Sequence, residues 1–309
     1  MKIVFMGTPD FAVPSLKKLL VSQHEILAVV TGPDKPSGRG KKITPTAVKQ
    51  CAQQNAIPVL MPEKLTDENF IADLRNLAAD LFVVVAFRIL PEAVFIIPPY
   101  GTINLHASLL PKYRGPAPIN WAIINGEQET GVTTFVIERN VDTGEWIKQK
   151  KVAIGERETA GELHDKLSSL GAEVLLETVN LIAQGKAQRF KQTGEITKAP
   201  KLTDELCHIN WNNDVVSIYN LIRGLSPYPR AFSYFQGEEF KICRAELAKQ
   251  TVEKMVSPGE IISITQDKIY VATGKGILAI TEIQPPNKRR MTVAEYLRGH
   301  SVNDGDKFS

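Results

Sequence analysis

Short apolar runs typical of strands alternate with helix-period segments through the first third of the chain. The strand-type runs are 3–6, 26–30, 81–86 and 102–105, and the helix-type segments between them are 11–21, 46–54 and 67–78. Strands that alternate with helices are joined by crossover connections, which make neighbouring strands parallel. The run at 81–86, LFVVVA, is apolar at every position, as expected where helices cover both faces of a sheet. The sequence therefore predicts a doubly wound, mostly parallel α/β sheet.

The pattern changes beyond residue 131. Alternating residues at 132–138 and 146–154 predict an antiparallel pair that extends the sheet, and a helix over 160–183 closes the domain. Residues 190–205 lack apolar periodicity and are typical of a linker. Beyond them, short strand-type runs separated by turn residues predict a small β-barrel. We therefore predict a catalytic domain at 1–189, a linker at 190–205 and a C-terminal domain at 206–309.

The overall composition indicates an ordinary globular protein. Apolar residues make up 43% and charged residues 23% of the chain. No segment approaches the roughly 20 apolar residues that span a bilayer, and no secretory signal is visible, so we expect a cytoplasmic protein with no membrane contact. The three cysteines are far apart and lack C-x-x-C spacing, which argues against a disulfide framework and a zinc site. We predict no metal.

Two polar residues, Asn104 and His106, lie two positions apart in the strand-type run that precedes the turn residues at 108–115. Side chains alternate along a strand, so both point to one face at the strand's carboxyl end, where open α/β sheets bind ligands. An imidazole transfers protons near neutral pH and a carboxamide donates to an oxyanion, which suits acyl transfer. Asp142, in a turn between two predicted strands, could orient the imidazole. From the residues alone, a buried His and Asn satisfied by backbone groups and a turn-forming Asp remain alternatives.

A basic run, DKPSGRGKK at 34–42, has the Pro, Gly and Ser content of a loop and includes Arg39, Lys41 and Lys42. A second run, at 288–290, follows two prolines. Both suit contact with phosphates. The net charge of +3 is too small to indicate a nucleic-acid partner by itself, and a solvated surface loop is the alternative for each run.

Five strings closely resemble the methionyl-tRNA formyltransferases, a family of folate-dependent formyltransferases. They are FMGTPDFA at 5–12, PDKPSGRGKK at 33–42, INLHASLLPKYRGPAPINWAI at 103–123, ETGVTTFVIERNVDTGEWI at 129–147 and HINW at 208–211. The resemblance covers nearly all of the chain. One departure lies after the third core strand, where the family commonly reads A-Y-G-x-I-L-P. This chain reads AFRILP at 86–91, which is one residue shorter and has Arg88 in place of Gly.

The resemblance implies a Rossmann-like formyltransferase domain, an OB-like barrel, and formyl transfer from 10-formyltetrahydrofolate to the α-amine of methionine on initiator tRNA. In that family Asn104, His106 and Asp142 would be catalytic. The folate-contacting stretch would be Ser108, Leu109, Leu110 and Pro111, and the residues reaching the tRNA acceptor stem would be Arg39, Lys41 and Lys42. Charged initiator tRNA and folate are thus the expected partners, with no obligate protein partner. Formyl transfer to a small amine, such as an amino sugar or glycinamide ribonucleotide, and a non-catalytic RNA-binding protein are the alternatives.

Overall fold

A computed structural model describes residues 1–37, 42–248 and 256–309, with the backbone alone for 35–37 and 42–43. The chain forms two compact units. The first consists of Met1–Gly115, Glu129–Val152 and His164–Ala199, and the second of Pro116–Gln128, Ala153–Leu163 and Pro200–Ser309.

The described residues form strands and helices with the following bounds. The strands are β1 (Lys2–Gly7), β2 (Glu25–Val30), β3 (Lys35–Ser37), β4 (Lys42–Thr44), β5 (Val59–Leu60), β6 (Leu81–Val85), β7 (Thr102–His106), β8 (Glu129–Val136), β9 (Trp146–Ala153), β10 (Ala231–Phe235), β11 (Glu238–Leu247), β12 (Ile261–Ile264), β13 (Ile269–Ala272), β14 (Ile277–Gln284) and β15 (Met291–Thr292). The α-helices are α1 (Val13–Leu20), α2 (Ala47–Gln54), α3 (Glu68–Asn76), α4 (Glu92–Phe95), α5 (Pro118–Ile124), α6 (Ala160–Ala183), α7 (Asp204–Cys207), α8 (Val215–Gly224) and α9 (Val293–Leu297).

The first unit is built on a seven-stranded sheet in the order β5-β2-β1-β6-β7-β8-β9. Its first five strands are mutually parallel, and β8 runs antiparallel to β7. The mostly parallel sheet predicted from the strand and helix alternation is therefore confirmed. Strand β5 was not predicted, because two half-buried residues are too few to show a period.

Helices cover both faces of this sheet. On one face, Val4, Met6, Phe82 and Val84 form a buried cluster with residues of α3 and α4. On the other face, Leu105 packs so closely on α6 that a Cβ at Gly171 would lie 2.7 Å from its Cδ2 atom. Because side chains alternate along β7, Asn104 and His106 point away from α6, towards the face that includes Val84.

Helix starts follow local capping chemistry. The Thr46 hydroxyl accepts from the Lys49 amide at 3.1 Å to begin α2, and the Asp67 carboxylate accepts from the Phe70 amide at 3.0 Å to begin α3. The helix predicted over 11–21 is divided into a 3-10 turn at Asp10–Ala12 and α1. Pro14 in the first turn of α1 has no amide hydrogen to bond back across this junction.

The second unit contains an antiparallel sheet in the order β10-β11-β14-β13-β12, with β15 paired to β14. The last residues of the chain bond to both ends of this order. The Phe308 amide donates to the carbonyl oxygen of Gly259, just before β12, at 2.9 Å, and Ser309 exchanges two 2.9 Å backbone bonds with Tyr234 in β10. The C-terminal segment thus joins the two edges, which agrees with the predicted small barrel.

Ser233 joins this closing segment to the barrel core. Its hydroxyl is fully buried, accepts from Trp211 Nε1 at 2.8 Å and donates to the Ser309 carbonyl oxygen at 3.0 Å. We expect Ser233→Ala to lower the free energy of unfolding by about 1–3 kcal/mol, because the indole donor is left unpaired in the core. Urea titration of the full chain, followed by tryptophan fluorescence, measures this change.

Ser263→Ala is the matched control for that measurement. Ser263 lies in β12, is half-buried, and its hydroxyl forms no hydrogen bond within residues 1–37, 42–248 and 256–309. Its loss should leave the unfolding midpoint nearly unchanged. Equal midpoints for the two variants would contradict the role assigned to Ser233.

In the described part of the chain, no helix is both long and apolar enough to span a bilayer.

Candidate active site

Strand β7 supplies the first two polar groups of the site. Asn104 is half-buried and pairs in register with Val84 of β6 and Phe135 of β8. Its carboxamide forms no hydrogen bond to another residue that the structure describes. The sequence left open that backbone groups satisfy the Asn104 carboxamide. Among the described residues, no backbone group does so. Its N–H groups are available to a ligand oxygen.

His106, the last residue of β7, is only 7% exposed and is held by the loop that follows it. Its Nε2 atom lies 2.9 Å from the carbonyl oxygen of Tyr113. A carbonyl only accepts, so Nε2 carries a hydrogen and Nδ1 is the atom that gains or loses a proton. Nδ1 lies 3.9 Å from Oδ2 of Asp142, which is too long for a hydrogen bond. The carboxylate and the imidazole are therefore neighbours without a hydrogen bond between them.

Asp142 lies between β8 and β9 with a φ of +55°, a conformation that Asp tolerates better than most residues. Its Oδ2 atom accepts from the backbone amide of Gly115 at 2.9 Å. Asp142 thus forms part of the turn and also places its carboxylate beside the imidazole. The structure brings His106 and Asp142 together across more than thirty residues of sequence.

Residues 113–115 connect the imidazole to the carboxylate. Gly115 has a φ of +127°, and a Cβ there would lie 2.6 Å from the carbonyl oxygen of Ala199. The Tyr113 amide donates to Thr197 Oγ1 at 2.8 Å, and the Ala199 amide donates to the Arg114 carbonyl oxygen at 2.7 Å. Residues 190–199 therefore pack along this loop within the first unit. Sequence reasoning found no site residue here, because the segment has no apolar periodicity or motif.

The stretch predicted to contact folate is fixed by β8 and β9. Thr133 Oγ1 donates to the Ser108 carbonyl oxygen at 2.6 Å and accepts from the Leu110 amide at 3.1 Å. Gln149 Nε2 donates to the Leu110 carbonyl oxygen at 2.8 Å. Thr133 and Gln149 were missed from the sequence, because each acts through a partner at least sixteen residues away.

The four residues of that stretch differ in exposure. Ser108 is fully buried, and its hydroxyl donates to the Lys112 carbonyl oxygen at 2.6 Å. Leu110 and Pro111 are buried as well, and Leu109 is half-buried. Of the four, Leu109 therefore has the side chain most accessible to a ligand.

Arg88, in the stretch at 86–91 where the sequence departs from the family's common pattern, is directed towards another loop. Its guanidinium donates to the carbonyl oxygens of Pro62 at 2.8 Å and Glu63 at 3.0 Å. Burial lowers the pKa of this guanidinium from its ordinary value. The neighbouring Ile89 is 74% exposed. The Arg88 side chain thus links residues 86–91 to residues 62–63.

The residues predicted to bind tRNA are described only in part. Arg39 and Lys41 lie outside the described residues, and Lys42 is described by its backbone in β4. Strands β3 and β4 pair antiparallel, so the backbone on both sides of 38–41 is a strand pair where the composition predicted a loop. In the second basic run, Arg289 pairs with Glu295 and Arg290 with Glu282, which compensates two of its three charges.

No group of three His, Cys, Asp or Glu side chains suited to a metal ion occurs among the residues described.

Comparison with known proteins gives matches over both parts of the chain. The family described as formyl transferase matches residues 1–179, and the one described as formyl transferase, C-terminal domain, matches residues 201–301. A protein named methionyl-tRNA formyltransferase from Pelotomaculum thermopropionicum is 48% identical over 306 residues, covering 99% of this chain and 97% of the relative. A protein of the same name from Alkaliphilus oremlandii is 48% identical over 308 residues, covering 99% of each chain.

Among solved structures, HypX from Aquifex aeolicus in complex with tetrahydrofolic acid aligns with a TM-score of 0.67 at 18% sequence identity. The alignment covers 99% of this chain, which spans about half (50%) of the length of HypX. At this identity the likeness supports the fold alone.

Proposed function

The chain belongs to the formyl transferase family, and from this premise we propose that it transfers the formyl group of 10-formyltetrahydrofolate to the α-amine of methionine esterified to initiator tRNA. The observation that carries the proposal is the 48% identity to proteins named methionyl-tRNA formyltransferase, which runs through both domains. The product is N-formylmethionyl-tRNA for translation initiation. Charged tRNA is used in the cytoplasm, so we infer that the protein acts there.

Asn104 supplies the oxyanion donor in this proposal. Its unpaired carboxamide N–H donates to the formyl oxygen as that oxygen gains negative charge during attack by the amine. The half-buried setting strengthens this bond relative to one made in bulk water.

His106 moves the proton. Nδ1 accepts a proton from the attacking amine as the new bond from nitrogen to the formyl carbon forms. The same proton passes to the departing folate nitrogen as its bond to the formyl carbon breaks. Asp142, 3.9 Å from Nδ1, stabilises the imidazole while it is charged, and Tyr113 holds the opposite ring nitrogen.

The folate lies against the stretch 108–111 in this proposal. Backbone groups held by Thr133 and Gln149 and the accessible Leu109 side chain line its site. HypX, whose fold is similar, has been solved with tetrahydrofolic acid, which supports a folate-derived donor. We further propose that residues 206–309 form the tRNA-binding domain.

A side-by-side acceptor assay tests the function. Purified protein receives labelled 10-formyltetrahydrofolate with one of four acceptors: methionyl initiator tRNA, uncharged tRNA, an amino sugar nucleotide or glycinamide ribonucleotide. We expect label to enter only methionyl initiator tRNA. Label in a small amine, with none in the charged tRNA, would replace this proposal with the small-amine alternative. Binding of tRNA without transfer to any acceptor would favour a non-catalytic RNA-binding protein.

We expect Arg39→Ala to weaken tRNA binding and to flatten its salt dependence. Loss of one phosphate contact should reduce the slope of log K against log salt by about 1. Fluorescence anisotropy with labelled initiator tRNA at several salt concentrations measures this slope. Arg75→Ala, which removes an equal charge from an exposed position on α3, is the control. Wild-type affinity and slope in Arg39→Ala would reduce the basic run to a solvated surface feature.

A further inference from the structure

Gln192 uses every hydrogen-bonding position of its side-chain amide. Its Nε2 atom donates to the carbonyl oxygens of Asp142 at 2.9 Å and Gly144 at 2.8 Å. Its Oε1 atom accepts from Arg114 Nε at 3.1 Å and from Arg114 Nη2 at 2.6 Å. A glutamine amide has two donor hydrogens and two acceptor positions, and all four are engaged here.

The two segments that Gln192 connects are those that hold the candidate catalytic groups. On one side, Arg114 lies between Tyr113, whose carbonyl oxygen holds His106 Nε2, and Gly115, whose amide holds Asp142 Oδ2. On the other side is the turn at 142–144, which includes the carboxylate itself. Gln192 is therefore bonded to the backbone of the turn at 142–144 and, through the Arg114 side chain, to the loop at 113–115.

Gln192 bonds to the backbone of Asp142 at a residue with positive φ. The Asp142 φ of +55° lies in a region that is sparsely populated for residues with a side chain, and such conformations persist where surrounding bonds hold them. One of those bonds is the one from Gln192 to the Asp142 carbonyl oxygen. Without it, the turn at 142–144 can relax towards a commoner conformation and move the carboxylate.

We propose that Gln192 is a positioning residue for formyl transfer, which keeps the turn at 142–144 and the loop at 113–115 in the register that sets Asp142 beside Nδ1 of His106. The inference rests on the proposed function for its activity readout. Gln192 touches neither His106 nor the Asp142 carboxylate, so it acts through the backbone. The sequence offers no sign of this role, since Gln192 lies in the predicted linker.

Two variants test the proposal. Gln192→Ala removes all four bonds. Gln192→Glu keeps an acceptor for Arg114 but places carboxylate oxygens against two carbonyl oxygens, so it removes both bonds to the turn and adds one negative charge. We expect both to lower kcat by about 10–100-fold, as misplacement of a catalytic group does, with KM for folate and affinity for tRNA unchanged. The kcat against pH profile of Gln192→Ala should change in the same way as that of Asp142→Asn.

A double-mutant cycle separates positioning from a general structural role. If Gln192 acts through the carboxylate, Gln192→Ala should change kcat by less than about 2-fold in an Asp142→Asn background. Gln184→Ala, at an exposed glutamine just after α6, is the matched control and should behave as wild type. Wild-type kcat in both Gln192 variants, or losses that simply multiply with that of Asp142→Asn, would overturn the inference.

Amide hydrogen exchange gives a readout that does not depend on activity. We expect faster exchange at the Gly115 amide in Gln192→Ala and Gln192→Glu, because the acceptor Oδ2 of Asp142 is no longer held in place. Exchange in β1 and β6 should match the wild type. Unchanged exchange at Gly115 in both variants would contradict the inference, whether or not the wild type transfers a formyl group. Absence of formyl transfer by the wild type would refute the proposed function instead.

Discussion

Replacing Asn104 with alanine is expected to lower kcat by about 10²–10³-fold, the usual cost of removing one oxyanion donor. The carboxamide has no other partner among the described residues, so its loss removes an interaction with the substrate and breaks no bond within the fold. Affinity for tRNA and KM for folate should change little, because the bond strengthens as charge develops on the formyl oxygen. Rates of transfer to charged initiator tRNA at several folate concentrations give kcat and KM for folate, and anisotropy gives the affinity for tRNA.

The control for this variant is Asn76→Ala, at an exposed asparagine at the end of α3. It should retain wild-type kcat and binding. An unchanged kcat in Asn104→Ala would remove the oxyanion role. A loss confined to KM, with kcat preserved, would instead assign Asn104 to ground-state binding of the donor.

Replacing His106 with alanine is expected to lower kcat by about 10²–10⁴-fold, the range that general acid-base groups contribute. The proton of the attacking amine would lose its acceptor, Nδ1, and Asp142 would lose the imidazole that lies 3.9 Å from its Oδ2 atom. Added imidazole should restore part of the activity, because a small base can occupy the space left beside Tyr113. Rates of transfer with and without imidazole, at several pH values, test this expectation.

His164→Ala provides the comparison for His106→Ala. His164 belongs to α6, and its ring contacts Asp10 and Asp165 and stays outside the β7 site. We expect nearly full activity and no response to imidazole. If His106→Ala kept wild-type turnover, proton transfer would have to be assigned to another group, and the buried imidazole would be structural.

The parallel sheet could be predicted because its signals are local. The apolar run at 81–86 and the capping residues Thr46 and Asp67 specify a strand and two helix starts within a few residues of themselves. The pair Asn104 and His106 could be singled out for the same reason, since a period of two is visible in any strand. Their roles, like that of Asp142, stay predictions until the variants above are measured.

The rest of the site could not be predicted, because it depends on backbone groups. Tyr113 holds His106 through its backbone carbonyl oxygen, and Gly115 holds Asp142 through its backbone amide. In neither contact does the holding residue use its side chain. Thr133 and Gln149 likewise act on the backbone of the stretch 108–111. Every residue type except proline presents the same carbonyl and amide groups, and sequence therefore does not show which of them a partner will use.

The amino-acid sequence by itself determined the layered α/β architecture, the strand-rich C-terminal unit and the positions of the polar groups on β7, because periodicity and capping act over one or two turns of chain. Only the tertiary structure decided that Gln192, 50 residues from Asp142, shares a hydrogen-bonded unit with it. Such contacts depend on how distant segments pack against a common sheet. That packing minimises the free energy of the whole chain. The residues that form such contacts therefore show no local sequence pattern by which they could be recognised.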